Sequence, residues 1–365
     1  MSIIIGWNDY DVRFECLNVT LLLGCMFSFI ILYWIKKDKV FYLYRALGSE
    51  LHEYDVGGET LEHINRLRAE SKIEKQKIPR INFIMCCSVM LLISFRRPLN
   101  YLIKGETRHA RDGADLPSSH FVGGIPIPYW FYVEPKGNLY YLAAFLEYFN
   151  IIYVALLFPI IDGAFVAMSH EICTEFKILH YMLKNLVETA EVQYEKSSPN
   201  SSIKDMNKFK IILKSCLRSC LIHHQHIIKV ISVIRDVNYM LLVLSGLGIG
   251  IFTCLLGVVL TVPGTSEALK ASSFILILLE LIHVYFYCYY SGQFSDLSVA
   301  VGSAIYESNW VKYSSLLKTE MMILVERSKK PITLSAGGFS ELNLEMFSGI
   351  INSAYTYFNI IKAMS

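Results

Sequence analysis

Four ionisable side chains interrupt otherwise apolar stretches of this 365-residue chain: Glu147, Asp162, Glu280 and His283. At bilayer depth each such group costs about 2.5–3.5 kcal/mol, so by default it marks an ion path, a proton relay or a ligand contact. Glu280 and His283 stand three residues apart, on one face of a helix, where a paired structural role is the equal alternative. Asp162 falls near the inner end of its apolar run and is expected to face the cytoplasmic side. A second group, His223-His224-Gln225-His226, has metal-ligating residue types, but His223 and His224 project to different helix faces and no carboxylate cluster accompanies them. No metal and no cofactor are expected. Gly246, Gly248 and Gly250 neither follow a strand nor precede a lysine, so they are no phosphate loop. Small residues that let helices approach closely are the better account. His-Glu-x-x-His and Gly-x-Ser-x-Gly are both absent, and the four ionisable groups are divided between two different spans. The sequence therefore gives no ground for an enzyme, and little for a transporter.

The elements that must position these residues are apolar helices. The chain is 53% hydrophobic and 18% charged, with a mean hydropathy of +0.40. Soluble domains rarely have this composition, and an all-α polytopic membrane protein is expected. Six runs qualify as spans: Cys16–Ile35, Ile81 past Arg96 and Arg97 to Ile103, Tyr140–Met168, Val237–Ser266, Ala271–Phe294 and Met346–Ile361. Of the 34 lysines and arginines, ten lie in 36–80, ten in 169–235 and five in 292–345. The positive-inside rule sets those segments in the cytoplasm, with both tails and the loops at 104–139 and 263–270 outside. Arg96 and Arg97 run against that bias. A net charge of +2 gives no reason to expect nucleic acid.

No basic start or small-residue cleavage site precedes the first run, so no signal peptide is expected. The nine cysteines fall mainly in spans and cytoplasmic segments, where reduced thiols are the default. The sequon Asn200-Ser201-Ser202 falls on the cytoplasmic side and is expected to stay unmodified. Segments 36–78, 169–235 and 296–330 read as helices that carry the spans inward, interrupted near Pro199. Their apolar stripes need partners, and other copies of such a domain are natural ones. The loop over 112–139 is rich in proline, glycine and aromatics and is expected to be an ordered cap without regular structure.

The last stretch, 331–365, opens with a proline and a Ser-Ala-Gly-Gly turn that stops any arriving helix. Asn343 or Ser340 is placed to cap a new one. Ser353, Tyr357, Ile360 and Met364 then share a face at i, i+4, i+7, i+11, while Phe347, Ile351, Tyr355 and Phe358 lie largely elsewhere. A short final helix with a mixed face fits packing against protein or a pore axis, although an ordinary last span has the same look.

The order and spacing of four submotifs then carry a family resemblance. Tyr290-Ser-Gly-Gln-Phe with Ser298, Ala304-Ile-Tyr306-Glu-Ser-Asn-Trp310, Pro331-Ile-Thr-Leu-Ser-Ala-Gly337 and Ser353-Ala-Tyr-Thr-Tyr-Phe358 resemble the C-terminal signature of insect odorant receptors. The loop with Pro126, Pro128 and Trp130 and the pattern of spans extend the likeness, more loosely, over nearly the whole chain. The resemblance implies a seven-transmembrane odorant-receptor channel fold with intracellular anchor helices and the N-terminus inside. It sets the run ending at Ile35 against the family's second span, so a first span is expected ahead of Met1. It implies three regions. Residues 1–295 would be the ligand-binding bundle with cytoplasmic extensions 36–80 and 169–235 and outer loop 104–139, residues 296–345 the anchor, and 346–365 the pore helix.

The resemblance further implies a heterotetramer of tuning subunits with a shared co-receptor, gated by a small volatile ligand, in the plasma membrane of sensory neurons. The co-receptor and gustatory receptors share Thr356-Tyr357 but carry glutamine where this chain has Ala363, and this chain lacks the co-receptor's enlarged second cytoplasmic loop. A tuning receptor is therefore expected, with a gustatory-type channel as alternative. A G-protein-coupled receptor would be oriented oppositely, and neither Asp-Arg-Tyr after the third span nor Asn-Pro-x-x-Tyr in the last is present. By the same resemblance Ile360 and Met364 align with a pore constriction, on the face that carries Ser353 and Tyr357. The ligand pocket would lie in the outer halves of the spans: Phe14, Asn18, Leu22, Leu92, Phe95, Phe145, Tyr148, Phe149, Tyr153, Phe252, Phe274 and Ile277. Apolar walls with hydrogen-bonding groups at Tyr148, Tyr153 and Asn18 suit a volatile molecule. Ordinary helix packing is the standing alternative for each of these residues.

Overall fold

The computed structural model describes residues 10–48, 51–104, 138–198, 205–261, 267–336 and 340–364. The helices in chain order are α1 (Tyr10–Ile35), α2 (Lys37–Gly48), α3 (Glu59–Lys104), α4 (Asn138–Lys184), α5 (Leu186–Ser197), α6 (Met206–Thr261), α7 (Glu267–Glu307), α8 (Ser314–Ser328) and α9 (Leu344–Met364). A 3-10 turn, Asn309–Tyr313, joins α7 to α8. Over the described residues, each apolar run of the sequence falls on one of these helices. Tyr148–Lys184, Met206–Leu260 and Leu269–Glu307 are long and apolar enough to cross a membrane, and Leu23–Ile35 is a shorter apolar helix.

With 46, 47 and 56 residues, α3, α4 and α6 far exceed the about 20 residues that cross a bilayer. Their lysine-rich parts therefore stand outside it. The boundary is marked at one point. Directly after α1, the ammonium of Lys36 lies 3.1 Å from the carboxylate of Asp236, and Lys39 reaches the same carboxylate. Asp236 directly precedes Val237, where the charge-free part of α6 begins.

Two prolines shape the α3–α4 contact, the most extensive in the fold. Pro159 has no N–H to give the carbonyl of Ala155 one turn back. The thiol of Cys87 on α3 donates to that carbonyl at 3.7 Å. On α4, Gly163 meets Pro79 of α3 so closely that an added Cβ would stand 3.1 Å from the proline's Cβ.

The segment 36–78, read from sequence as continuing helix, is interrupted. Residues 51–57 have no regular structure, and Gly58 takes a left-handed φ of 63°, open to glycine without steric cost. The Gly58 carbonyl then accepts from Glu62 to begin α3. The irregular run is held on α6: Tyr54 shares a 2.8 Å hydrogen bond with His223, and His52 stacks on the same imidazole with centroids 4.9 Å apart.

The larger apolar core lies at this inner end, where Leu43, Phe176, Leu213, Ile231, Phe294 and Leu317 are fully buried. A smaller core around Met26, Phe29, Cys86, Phe158, Leu241 and Leu279 fills the span region. The chain therefore packs best where the helices leave the membrane.

After α8 the backbone crosses α7 as an extended strip. Ser298 and Ser291 of α7 accept the N–H groups of Ile332 at 3.0 Å and Leu334 at 2.8 Å. Ser335–Ala336 pairs antiparallel with Ser340–Glu341 in a two-residue ladder. Asn343, one of the two expected caps, accepts from Met346 N at 2.7 Å to open α9. The cap loop with Pro126, Pro128 and Trp130 and the sequon at 200–202 lie outside the described residues.

Candidate functional site

Two of the four ionisable residues of the spans meet across the bundle, and the side chain of Glu147 lies outside the described residues. Asp162 of α4, His283 of α7 and Ser245 of α6 are each no more than 4% exposed. His283 Nδ1 lies 2.5 Å from Asp162 Oδ1, and its Nε2 lies 3.0 Å from Ser245 Oγ. This corrects two readings of the sequence: Asp162 faces the bundle and not the cytoplasm, and it, not Glu280, is the partner of His283. Their separation by 121 positions hides the pair from any local spacing rule. Phe158 and Tyr287 close around the imidazole, with ring centroids 5.2 Å and 5.0 Å away. Both ring nitrogens are thereby engaged, as the low dielectric requires of a buried polar group.

One turn before His283, Glu280 reaches the edge of a different space. A small, partly open cavity of about 30 Å³ sits among Cys86, Met90, Phe158, Phe252, Leu276 and Glu280. Glu280 Oε1 would stand 4.0 Å from a Cβ at Gly248 on α6, so the carboxyl leans toward that helix. No hydrogen bond or ion pair reaches it among the described residues.

Of the residues expected to form the pocket, Phe252 lines this cavity. Ile277 is buried. Phe145, Phe149 and Tyr153 form a ladder along α4 with successive centroids 6.4 Å apart, and the first two are 65% and 57% exposed on the outside of the single chain. Phe274 is likewise exposed, and Tyr148 is half-buried. The side chains of Phe14, Asn18, Leu22, Leu92 and Phe95 lie outside the described residues. Met90 and Phe158 were missed by the sequence reading, where they look like packing residues. Glu280 was singled out there as an intramembrane carboxyl but not assigned to the pocket.

On α9, Ser353 and Ile360 are exposed, and the side chains of Tyr357 and Met364 lie outside the described residues. Between α6 and α9 runs an open cleft of about 1020 Å³, lined by Gly246, Gly250, Thr253, Asn343, Gly349 and Ser353 among others. A Cβ at Gly246 or Gly250 would meet nothing within 4 Å. Contrary to the sequence reading, these glycines do not bring helices together within the chain. They leave the wall of the cleft low.

The histidines at 223–226 belong to the inner core. His223 Nε2 lies 3.0 Å from Glu175, and Arg68 contacts the same carboxylate at 3.2 Å. Burial alone would raise the Glu175 carboxyl, but His223 and Arg68 outweigh it and hold the group below its ordinary value. Burial pushes the imidazoles of His52 and His224 down to about 4, helped by His223 for the first and by Arg327 and His223 for the second. Among the described residues, no three His, Cys, Asp or Glu side chains are grouped to hold a metal.

Comparison with known proteins places this architecture. A model of the 7tm Odorant receptor family matches residues 16–355. Odorant receptor Or2 of Anopheles gambiae is 22% identical over 147 residues, which cover 40% of this chain and 38% of that protein. Odorant receptor 67a of Drosophila melanogaster is 26% identical over 188 residues, 51% of this chain and 44% of that protein. The odorant receptor coreceptor of Ooceraea biroi is 24% identical over 154 residues, 42% of this chain and 32% of that protein. The chain thus spans less than half the length of these curated relatives. In fold, it is similar over its whole length to the insect olfactory receptor OR5 from Machilis hrabei in complex with eugenol, with a TM-score of 0.74, 13% identity and 85% of that chain covered. With a family match that takes in nearly every helix, this all-α, multi-pass membrane chain belongs to the 7tm odorant receptor family.

Proposed function

We propose that the chain is a tuning odorant receptor: the ligand-gated subunit of a non-selective cation channel in the plasma membrane of sensory neurons. In this reading residues 1–295 form the ligand-binding bundle, 296–345 the anchor between subunits, and 346–365 the helix that lines a central pore. Its partner is a co-receptor subunit, consistent with coreceptors among the relatives.

The single observation that carries the reading is α9. This 21-residue helix packs on the core through Met346, Phe347 and Ile350 and is exposed at most of its other described positions in the single chain, Ser353 and Ile360 among them. Such a face fits the axis of a ring of subunits, where Ile360 and Met364, one turn apart, would form apolar constrictions that gate by dewetting. The anchor agrees with it. Tyr306, Val311 and Ile323 are 73%, 68% and 64% exposed outside the spans, and neighbouring subunits would cover them.

The ligand is a small, mostly apolar volatile. Its site is the bundle interior around the cavity at Phe252, together with the outer residues Phe14, Asn18, Leu22, Leu92, Phe95, Phe145, Tyr148, Phe149, Tyr153, Phe274 and Ile277. The described cavity has room for about one water-sized group, so binding requires side chains such as the flexible Met90 to move. Whole-cell recording from cells that express the chain with a co-receptor, screened with a volatile panel, tests the reading. A fast cation current that persists when G-protein signalling is blocked is the expected result. Surface delivery with the co-receptor and no current to any volatile contradicts it.

A further inference from the structure

We infer that Glu280 is a recognition group for the head of the ligand, so that this receptor selects small apolar molecules carrying one hydrogen-bond donor, a hydroxyl or an amine. The inference rests on the proposed reading that the cavity belongs to an odorant site. Three observations converge on it. First, the wall of the cavity is apolar except at one place, the carboxyl of Glu280. Second, among the described residues Asp162 and His283, the ionisable groups near it, are hydrogen-bonded to each other. Asp162 holds His283 Nδ1, and Ser245 meets His283 Nε2. Third, no hydrogen bond or ion pair reaches the Glu280 carboxyl among the described residues. It leans on Gly248, which offers no side chain to answer it.

A carboxyl in an apolar surround seeks a donor, and an uncompensated one is costly. An incoming hydroxyl or ammonium supplies that donor while its hydrocarbon part displaces Met90 and fills the space against Phe158 and Leu276. A molecule of the same shape without a donor gains the apolar contacts but leaves the carboxyl as it was. A hydrogen bond that only the donor-bearing molecule makes should appear as a preference of about tenfold or more in affinity. Rejection of the donor-free analogue is the sharper half of the selectivity, because it leaves a polar group in an apolar surround unanswered.

The test uses two matched sets: octanol, octylamine, octyl methyl ether and octane, and phenethyl alcohol, phenethylamine and methyl phenethyl ether. Binding to the purified full chain is read by ligand-induced thermal stabilisation, and current is read separately in cells with the co-receptor. In at least one set the donor-bearing members should bind at least about tenfold tighter than their ether. Glu280→Leu should erase that preference while leaving the weak binding of the ethers in place. Glu280→Gln, whose amide oxygen still accepts, should keep the alcohol and lose the amine if the amine binds as a cation. Equal binding of donor and ether, no binding of any member, or a preference that survives Glu280→Leu overturns the assignment. Currents without donor preference would overturn it while leaving the channel reading standing. Donor-selective binding with no current would spare the assignment and count against the channel.

Discussion

At the scale of single residues, the account turns on groups that must be satisfied away from water. Removing one partner of a buried pair strands the other, at about 3–5 kcal/mol, whereas removing both leaves no charge to strand. His283→Ala should therefore lower the melting temperature of the purified protein steeply, and Asp162→Ala should do the same. The double variant should lose clearly less than the sum, a coupling that a double-mutant cycle measures directly. Acid acts on a different set. His52 and His224 titrate near 6.5 when unfolded and near 4 in the folded chain, so between those values the unfolded state binds the extra protons. Stability from these imidazoles is present above about pH 6.5 and is lost as pH falls toward 4. The lowered Glu175 adds a loss in the same direction at still lower pH, as it becomes protonated. Melting temperature followed from pH 7.5 down to about 4 should hold level to about pH 6.5 and fall from there. The residue types in this inner cluster and in the span pair were visible in the sequence. Their pairings were not, because Asp162 with His283 and Tyr54 with His223 join residues more than a hundred positions apart.

At the scale of elements, apolar runs and charge located the helices well, because a bilayer leaves the backbone little choice but helix. The breaks were less legible. The irregular stretch before α3 depends on Gly58 at φ 63°, and a pair of glycines in a charged linker has no single reading. The C-terminal signature shows why a motif can be recognised without its mechanism. Ser291 and Ser298 occur in it as small polar residues on a helix, and only the fold reveals that they receive the backbone of 332–334. Ser291→Ala leaves the Leu334 N–H buried without an acceptor, at a cost of about 1–3 kcal/mol. The variant should melt lower than the parent and fray the strip between α8 and α9, read as faster amide exchange at Leu334. Unchanged exchange there would show that another group holds the strip.

At the scale of the whole molecule, the single chain is incomplete in a particular way. Its interior is well packed at the inner end, yet α9 and the anchor keep apolar faces that no part of the described chain covers. A ring of subunits around α9 answers both at once, and it makes Ile360 the residue whose environment matters most. The sequence supplied the i, i+4, i+7 face of that helix, and the structure supplies its exposure at Ser353 and Ile360. The most direct measurement places a cysteine at Ile360 in the chain expressed with a co-receptor and applies a small cationic thiol reagent during an odorant-evoked current. The account predicts that the reagent blocks Ile360→Cys, does so faster while the odorant is present, and spares both the parent and Tyr355→Cys on another face. A current that the reagent leaves untouched in Ile360→Cys, or blocks equally in Tyr355→Cys, would contradict a pore lined by this helix.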